Sequence, residues 1–211
     1  MLKLLHELRQ ALPSPTYWIS VALPADKEWA LKHLNIRSLG VCVDLINVMC
    51  FNLVSKEARV TGHASAVYQA ALQCADYAQT PDCHACLQRL QEQGVPMHKV
   101  MLGISSLGQV FHGATGPGQR YEKISFIPYS QLPLPGAKIS EDTKTGFAYC
   151  VDQEGARFVS YDNRLTVEVK AAFVRSNNLA GIVVKQACFD VRKDGLVEAA
   201  YRALHPKDIN L

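Results

Sequence analysis

One lysine near the end of the chain lies where its side chain could act as a base or a nucleophile. Lys185 stands within the run Val183–Cys188, in which the remaining residues except Gln186 are apolar. Burial by such neighbours disfavours the charged ammonium, lowers its pKa and leaves a neutral amine that can take up a proton or form an imine. The sequence therefore predicts Lys185 as a candidate catalytic residue.

A second candidate is the C-x-x-C motif Cys83–Cys86, which contains His84. A structural zinc site needs four ligands, and only Cys74 lies near enough in the sequence to join the pair. Three interpretations stay open, namely structural thiols, a disulfide and a metal site, and the missing second pair favours the first. We accordingly predict no metal and no cofactor.

Further polar residues could be buried or could line a site. Asp44 and Asn47 interrupt an apolar run, so we predict that they are buried and need hydrogen-bond partners. His63, His98 and His112 are too far apart in the sequence to define a site. We predict surface or capping roles for these three histidines.

The composition limits the partners and compartments that the chain suits. Of its 211 residues 48% are hydrophobic and 19% are charged, with a formal net charge of +3. The basic residues are scattered and no apolar run reaches the roughly 18 residues of a membrane span, so we predict no nucleic-acid and no membrane partner. Residues 1–12 have the pattern of a helix rather than of a signal peptide, and the number of cysteines, seven, is odd. Both observations favour free thiols in the cytoplasm, unless an upstream segment directs secretion.

Four apolar runs alternate with helical segments along the chain. Buried parallel strands have this near-continuous apolar character, and helices return the chain between them. We predict strands over Tyr17–Leu23, Val41–Phe51, Lys99–Phe111 and Leu179–Asp190, and helices over 1–12, 27–34, 64–79, 81–93, 166–177 and 196–204. The predicted fold class is α/β, a partial (β/α) barrel with half the strands of a complete one.

The stretch 112–161 interrupts this alternation. It opens on a Gly-rich loop, includes one helical turn at 128–132, and contains a hairpin, because Gly146–Val151 and Ala156–Tyr161 flank the turn sequence Asp152–Gly155. We therefore predict one domain over residues 1–211 that carries a small inserted α+β, antiparallel subdomain at 112–161.

Several stretches carry motifs in a fixed order, namely Tyr17–Pro24, Val43–Asn52, His63, Gly94–Gly103, Ser160–Asn163 with Thr166, and Gly181–Val184 with Asp190. Together they resemble the second half of the catalytic domain of family 18 glycoside hydrolases, the chitinases, in particular the fungal class V, killer-toxin-like members. The family's V-D-x-x-N-V-M-T-Y-D resembles Val43–Asn52, its G-V-P-x-x-K-x-x-L-G resembles Gly94–Gly103, and its S-Y-D-D-x-x-T resembles the stretch from Ser160 to Thr166. The resemblance implies barrel strands five to eight.

The resemblance also exposes differences at the residues that do the family's chemistry. The catalytic motif D-x-x-D-x-D-x-E, which supplies the proton donor, is absent from the sequence. Where the family has Tyr-Asp after the sixth strand, this chain has Phe51 and Asn52. The family's Tyr and Arg at the seventh strand fall on Leu107 and Gln109, and its eighth-strand Trp, on which the sugar stacks, falls on Lys185.

These differences leave three functions open. The first is a chitinase-like remnant or partner subunit that does not hydrolyse chitin. The second is a repurposed enzyme that acts on a small non-sugar molecule through Lys185. The third is a lectin-like module that binds chitin oligomers. The sequence therefore leaves open whether the chain is an enzyme. The candidate ligand-binding residues at the barrel mouth are Phe51, Asn52, Ser105, Ser106, Leu107, Gln109 and Gln186.

A half-barrel leaves two unpaired sheet edges, which favour pairing with another chain. We predict a homo-oligomer or a complementary half-barrel chain as partner, with a small molecule or an oligosaccharide as ligand.

Overall fold

The secondary structure is taken from a computed structural model, which describes residues 1–25, 35–70 and 81–206. Its helices are α1 (Leu2–Ala11), α2 (Ile36–Cys42), α3 (Cys83–Glu92), α4 (Arg164–Ser176) and α5 (Leu196–Leu204). Its strands are β1 (Ser20–Pro24), β2 (Leu45–Met49), β3 (Val100–Ser105), β4 (Leu107–His112), β5 (Lys123–Pro128), β6 (Lys138–Asp142), β7 (Phe147–Asp152), β8 (Arg157–Tyr161) and β9 (Gly181–Lys185). Short 3-10 turns cover Met97–Lys99, Tyr129–Gln131 and Ala187–Phe189. No helix in these ranges is long and apolar enough to cross a membrane.

Four strands form a parallel sheet in the order β1-β2-β3-β9. The inner side chains of β2 and β3, among them Ile46, Val48, Val100 and Leu102, are fully buried, as expected for strands covered on both faces. Helices α3 and α4 lead into β3 and β9 respectively. The predicted α/β architecture is confirmed, and within the described residues the sheet does not close into a complete barrel.

The second sheet is antiparallel, with the order β5-β4-β8-β7-β6. Its hairpin of β7 and β8 is confirmed. Asp152 closes the turn by accepting hydrogen bonds from the Gly155 N–H at 3.0 Å and from the Arg157 guanidinium at 2.6 Å. Before β7 the hydroxyl of Thr145 donates a hydrogen bond of 2.7 Å to the carboxylate of Asp142.

The single strand predicted over Lys99–Phe111 is wrong, because the chain changes sheet at Ser106. The Ser106 N–H donates to the carbonyl of Lys185 in the parallel sheet at 3.1 Å, and the carbonyl of Ser106 accepts from the Tyr129 N–H at 2.9 Å. Leu107 then begins β4. The polar pair Ser105 and Ser106 marks this break in the sequence, but apolar residues resume at Leu107, so the two strands were predicted as one.

Two strand boundaries and one predicted helix also differ from the predictions. Val41 and Cys42 end α2, so the second strand begins only at Leu45. The last strand ends at Lys185, and the following residues form a 3-10 turn. The helix predicted over 64–79 is absent from its described part, 64–70, and the helix predicted over 27–34 lies outside the described residues.

Asp44 links α1 to the start of β2. It accepts hydrogen bonds from the Arg9 guanidinium at 2.5 Å and from the Ile19 N–H at 2.7 Å. Burial opposes its ionisation, but these two partners outweigh burial and hold the pKa of Asp44 below its ordinary value. Arg9 also donates to the carbonyl of Cys42. The predicted need of Asp44 for partners is confirmed.

Candidate functional site

The carboxyl ends of three parallel strands meet at one edge of the sheet. Because β2, β3 and β9 are neighbours and point the same way, their last residues and the residues that follow lie side by side. Ser105 pairs in register with Lys185. We call this edge the mouth, and its residues are Phe51, Asn52, Ser105, Ser106, Lys185 and Gln186.

Lys185 does not have the buried environment that its sequence neighbours suggest. Its side chain is exposed, so the expectation of a desolvated amine is wrong. The reason is its position at the last residue of an edge strand, where the side chain extends past the apolar neighbours. Its Nζ atom lies 5.3 Å from the centre of the Phe51 ring, within range of a cation–π interaction. The structure thus brings together two predicted site residues from different strands.

The ring of Phe51 packs closely on the neighbouring strand at Gly103. A Cβ atom added to Gly103 would lie 2.6 Å from the carbonyl oxygen of Val48 and 3.2 Å from Cε1 of Phe51. Only glycine avoids this overlap without a shift of the backbone. Phe51 is 8% exposed, so most of its ring lies against protein rather than open to a ligand.

Asn52 and Gln186 adopt left-handed backbone conformations directly after their strands, with φ of 54° and 58°. Asparagine tolerates this region well, whereas glutamine adopts it at some cost in conformational energy. At Gln186 the conformation starts the 3-10 turn, in which the Phe189 N–H donates to the carbonyl of Gln186 at 2.9 Å. These two turns direct the chain away from the sheet at the mouth.

The two serines of the mouth have different environments. The hydroxyl of Ser105 accepts a hydrogen bond from the Leu107 N–H at 3.1 Å, which supports the chain at the junction between the sheets. The hydroxyl of Ser106 is fully buried and has no hydrogen-bond partner among the described residues. Leu107 itself is half-buried as the first residue of β4.

Gln109 is buried beneath the loop that follows β2. Its Nε2 donates to the carbonyl oxygen of Val54 at 2.8 Å, and its Oε1 is buried without a hydrogen-bond partner in the part of the chain that the structure describes. One of the two N–H groups of its side-chain amide is therefore bonded to the protein backbone.

His63 is buried between the loop after β2 and the antiparallel sheet, so the predicted surface role is wrong for this residue. Its imidazole stacks on the Phe147 ring with centroids 3.8 Å apart and an interplanar angle of 5°. Burial lowers the pKa of His63 to about 4, although Asp142 acts in the opposite direction. By contrast His98 is exposed, and a half-buried His112 bonds to the Ser125 hydroxyl at 2.7 Å.

A buried ion pair between α4 and the residue that follows β8 is absent from the sequence-based predictions. The Nζ of Lys170 lies 2.5 Å from Oδ1 of Asp162, and both side chains are almost fully buried. Thr166 donates its hydroxyl to the same carboxylate at 3.0 Å. The one available signal was a lysine within an otherwise apolar helical face, eight residues after Asp162. The ion pair positions the start of α4, where Asn163 also caps the helix.

The C-x-x-C motif lies on α3 with both thiols buried. Cys83 donates to the carbonyl of Cys50 at 3.5 Å, and Cys86 donates to the carbonyl of Ala25 at 3.2 Å. The hydrogen bond with Cys83 and burial raise the pKa of Cys50 well above its ordinary value. The side chains of both Cys83 and Cys86 are buried and have a packing role on α3. Among the described residues no three His, Cys, Asp or Glu side chains converge to hold a metal ion, and Cys74 lies outside those residues.

Comparison with protein families shows that residues 1–190 match the model described as glycosyl hydrolases family 18. Among curated proteins the chain is 27% identical, over 90% of its length, to the sporulation-specific chitinase 2 of Saccharomyces cerevisiae, and it spans 41% of that protein. The chain thus spans less than half of this relative.

Solved structures of similar proteins share the fold. An N-acetylglucosaminidase of this family from Paenibacillus barengoltzii superposes with a TM-score of 0.85 at 20% identity, covering 96% of this chain and 62% of that one. A chitinase-like agglutinin from Robinia pseudoacacia superposes with a TM-score of 0.81 at 19% identity, with the same coverage of 96% and 62%. These likenesses support the partial (β/α) barrel.

Proposed function

Because the chain belongs to glycosyl hydrolase family 18, we propose that it is a chitinase-like component that does not itself cleave glycosidic bonds. Its 211 residues contain no D-x-x-D-x-D-x-E motif. In the chitinases that the chain resembles, this motif supplies the carboxylic acid that protonates the leaving oxygen, a step that glycoside hydrolysis requires.

The observation that carries this proposal is the contact between Lys185 and Phe51 at the mouth. The ammonium lies 5.3 Å from the ring centre, and the ring is largely covered by protein. A sugar stacks on an open aromatic face, and at this mouth a hydrated cation competes for that position. The resemblance to chitinases places their sugar-stacking Trp at Lys185, so this substitution opposes binding of a pyranose ring there.

Gln109 supports the same conclusion. One N–H of its side-chain amide is bonded to the Val54 carbonyl and the residue is 2% exposed, so little of Gln109 is accessible to a substrate. The alternative of a repurposed enzyme that uses Lys185 lacks support from the geometry, because the amine is exposed. The lectin-like alternative gains support from a different surface, described in the next subsection.

The expected partner is a second chain that pairs with the open edges of the parallel sheet. In the described residues β1 and β9 are the outermost strands, and each pairs through backbone hydrogen bonds on one side only. A second copy, or a chain supplying the other half of the barrel, would satisfy the free backbone groups. Light scattering at micromolar protein concentration should show a dimer or larger assembly, and a strict monomer would contradict this expectation.

Hydrolysis of a chitin oligomer tests the central proposal. The purified 211-residue protein is incubated with chitopentaose, and the products are separated by chromatography. We expect no more product than in a blank without protein. A Lys185→Trp variant should bind chitopentaose more tightly than the unaltered protein but should still not cleave it. Sugar release by either protein, in proportion to its concentration, would refute the proposal.

A further inference from the structure

A groove of about 490 Å³ lies between helices α3 and α4, away from the mouth. Residues 84, 88 and 91 share one face of α3, because they are spaced by four and three positions. Residues 173, 176 and 177 share one face of α4 in the same way. The side chains used in the argument below are His84, Gln88, Gln91, Phe173, Ser176 and Asn177.

The groove runs along α3 from His84, near the start of the helix, to Met97 at the end of the sheet opposite the mouth. Strands β3 and β9 pair directly, so the helices that precede them lie side by side. The carboxyl ends of α3 and α4 run toward the amino ends of β3 and β9, and Met97 in the turn before β3 lines the groove. A ligand in the groove therefore makes no contact with Lys185 or with the other residues of the mouth.

The lining of the groove favours an uncharged ligand. Among the described residues no aspartate, glutamate, lysine or arginine lines it. The carboxamides of Gln88 and Gln91 are exposed and make no hydrogen bond to any described residue. Asn177 donates from Nδ2 to the carbonyl of Phe173 at 2.8 Å, which leaves its side-chain oxygen as an acceptor. Each carboxamide both donates and accepts, as the hydroxyl groups of a sugar require.

An aromatic cluster borders the same groove. The rings of Tyr68 and His84 lie 5.3 Å apart, and both are within about 6 Å of the buried Phe173 ring, at 5.9 Å and 6.2 Å. Tyr68 is 42% exposed, so its ring presents free apolar surface beside the amides. Aromatic rings and amides side by side match a ligand that has apolar C–H faces and many hydroxyl groups.

We propose that the groove between α3 and α4 binds a neutral oligosaccharide. The volume of the groove falls in the range of small-ligand sites. Gln88 and Gln91 bond to the hydroxyl groups, and the rings of Tyr68 and His84 contact the sugar faces. This site does not depend on the mouth, so it stands whether or not the chain hydrolyses chitin.

The test is nuclear magnetic resonance of the isotope-labelled full chain titrated with chitotriose and, separately, with cellotriose. We expect the side-chain amide signals of Gln88 and Gln91 to shift with at least one of these sugars. The double variant Gln88→Ala with Gln91→Ala should weaken binding about tenfold or more, equivalent to losing about one hydrogen bond. A trimer of glucuronic acid should bind more weakly than the neutral sugars, because no lysine or arginine of the described residues lines the groove.

Gln153→Ala provides the matched control, because Gln153 is an exposed carboxamide in the turn between β7 and β8. This variant should bind as the unaltered chain does, and Lys185→Ala should leave the shifts in the groove unchanged. Shifts confined to the mouth, around Asn52 and Gln186, would overturn the proposal. So would the absence of any shift with both neutral sugars, or equal binding by the double variant.

Discussion

The buried imidazole of His63 should make the protein less stable in mild acid. In the folded chain burial lowers its pKa from 6.5 to about 4. Between these two pH values the unfolded chain binds the proton more readily than the folded chain. Stability is therefore fully present above pH 6.5 and decreases as the pH falls toward 4.

The size of this effect follows from the two pKa values. Their difference of about 2.5 units corresponds to at most about 3.4 kcal/mol, at 1.36 kcal/mol for each unit. Between about pH 7 and pH 5, where the folded imidazole is still mostly neutral, the free energy of unfolding should fall by about 2 kcal/mol through His63 alone.

Urea unfolding at several pH values, for the unaltered chain and for His63→Phe, isolates this contribution. Phenylalanine keeps a flat ring against Phe147 but cannot be protonated, so the variant should lose about 2 kcal/mol less over the same interval. The pKa of His112 is also lowered, by partial burial and by Lys123 and Arg157, but this residue is present in both proteins and cancels in the difference. His98→Phe, at an exposed ring, serves as the control. Parallel pH profiles for the unaltered chain and His63→Phe would refute the reasoning.

Two further substitutions test a buried ion pair and a close contact between strands. Lys170→Met leaves the Asp162 carboxylate buried without its ammonium partner and should lower the free energy of unfolding by about 3 to 5 kcal/mol. A smaller loss when Asp162→Asn is added would confirm that the two residues are coupled, and additive losses would contradict it. Gly103→Ala places a Cβ atom against the backbone of β2 and should cost about 1 to 3 kcal/mol in urea unfolding. Gly116→Ala is its control, since that Cβ would meet only the flexible end of Gln119 at 3.2 Å, and equal losses for the two glycines would contradict the account.

Local patterns in the sequence were sufficient to predict the elements whose structure depends on neighbouring residues. The hairpin of β7 and β8 follows from the turn Asp152–Gly155, which is closed by a hydrogen bond from the Gly155 N–H to the side chain of Asp152. Helix α5 has the predicted bounds Leu196–Leu204, because its apolar stripe and polar face lie within one segment. The alternation of buried strands with helices likewise predicted the α/β class, since covered parallel strands are apolar along their whole length.

Only the tertiary structure decided which distant residues meet and which side chains are exposed. Lys185 has apolar neighbours but extends beyond the end of an edge strand, whereas His63 looks like a surface residue but lies buried against Phe147. The change of sheet at Ser106 depends on a hydrogen bond to the Lys185 carbonyl, 79 positions away in the printed sequence. The groove between α3 and α4 arises for the same reason, because β3 and β9 pair across a long insertion. Burial and proximity are properties of the packed chain, and no local run of residues encodes them.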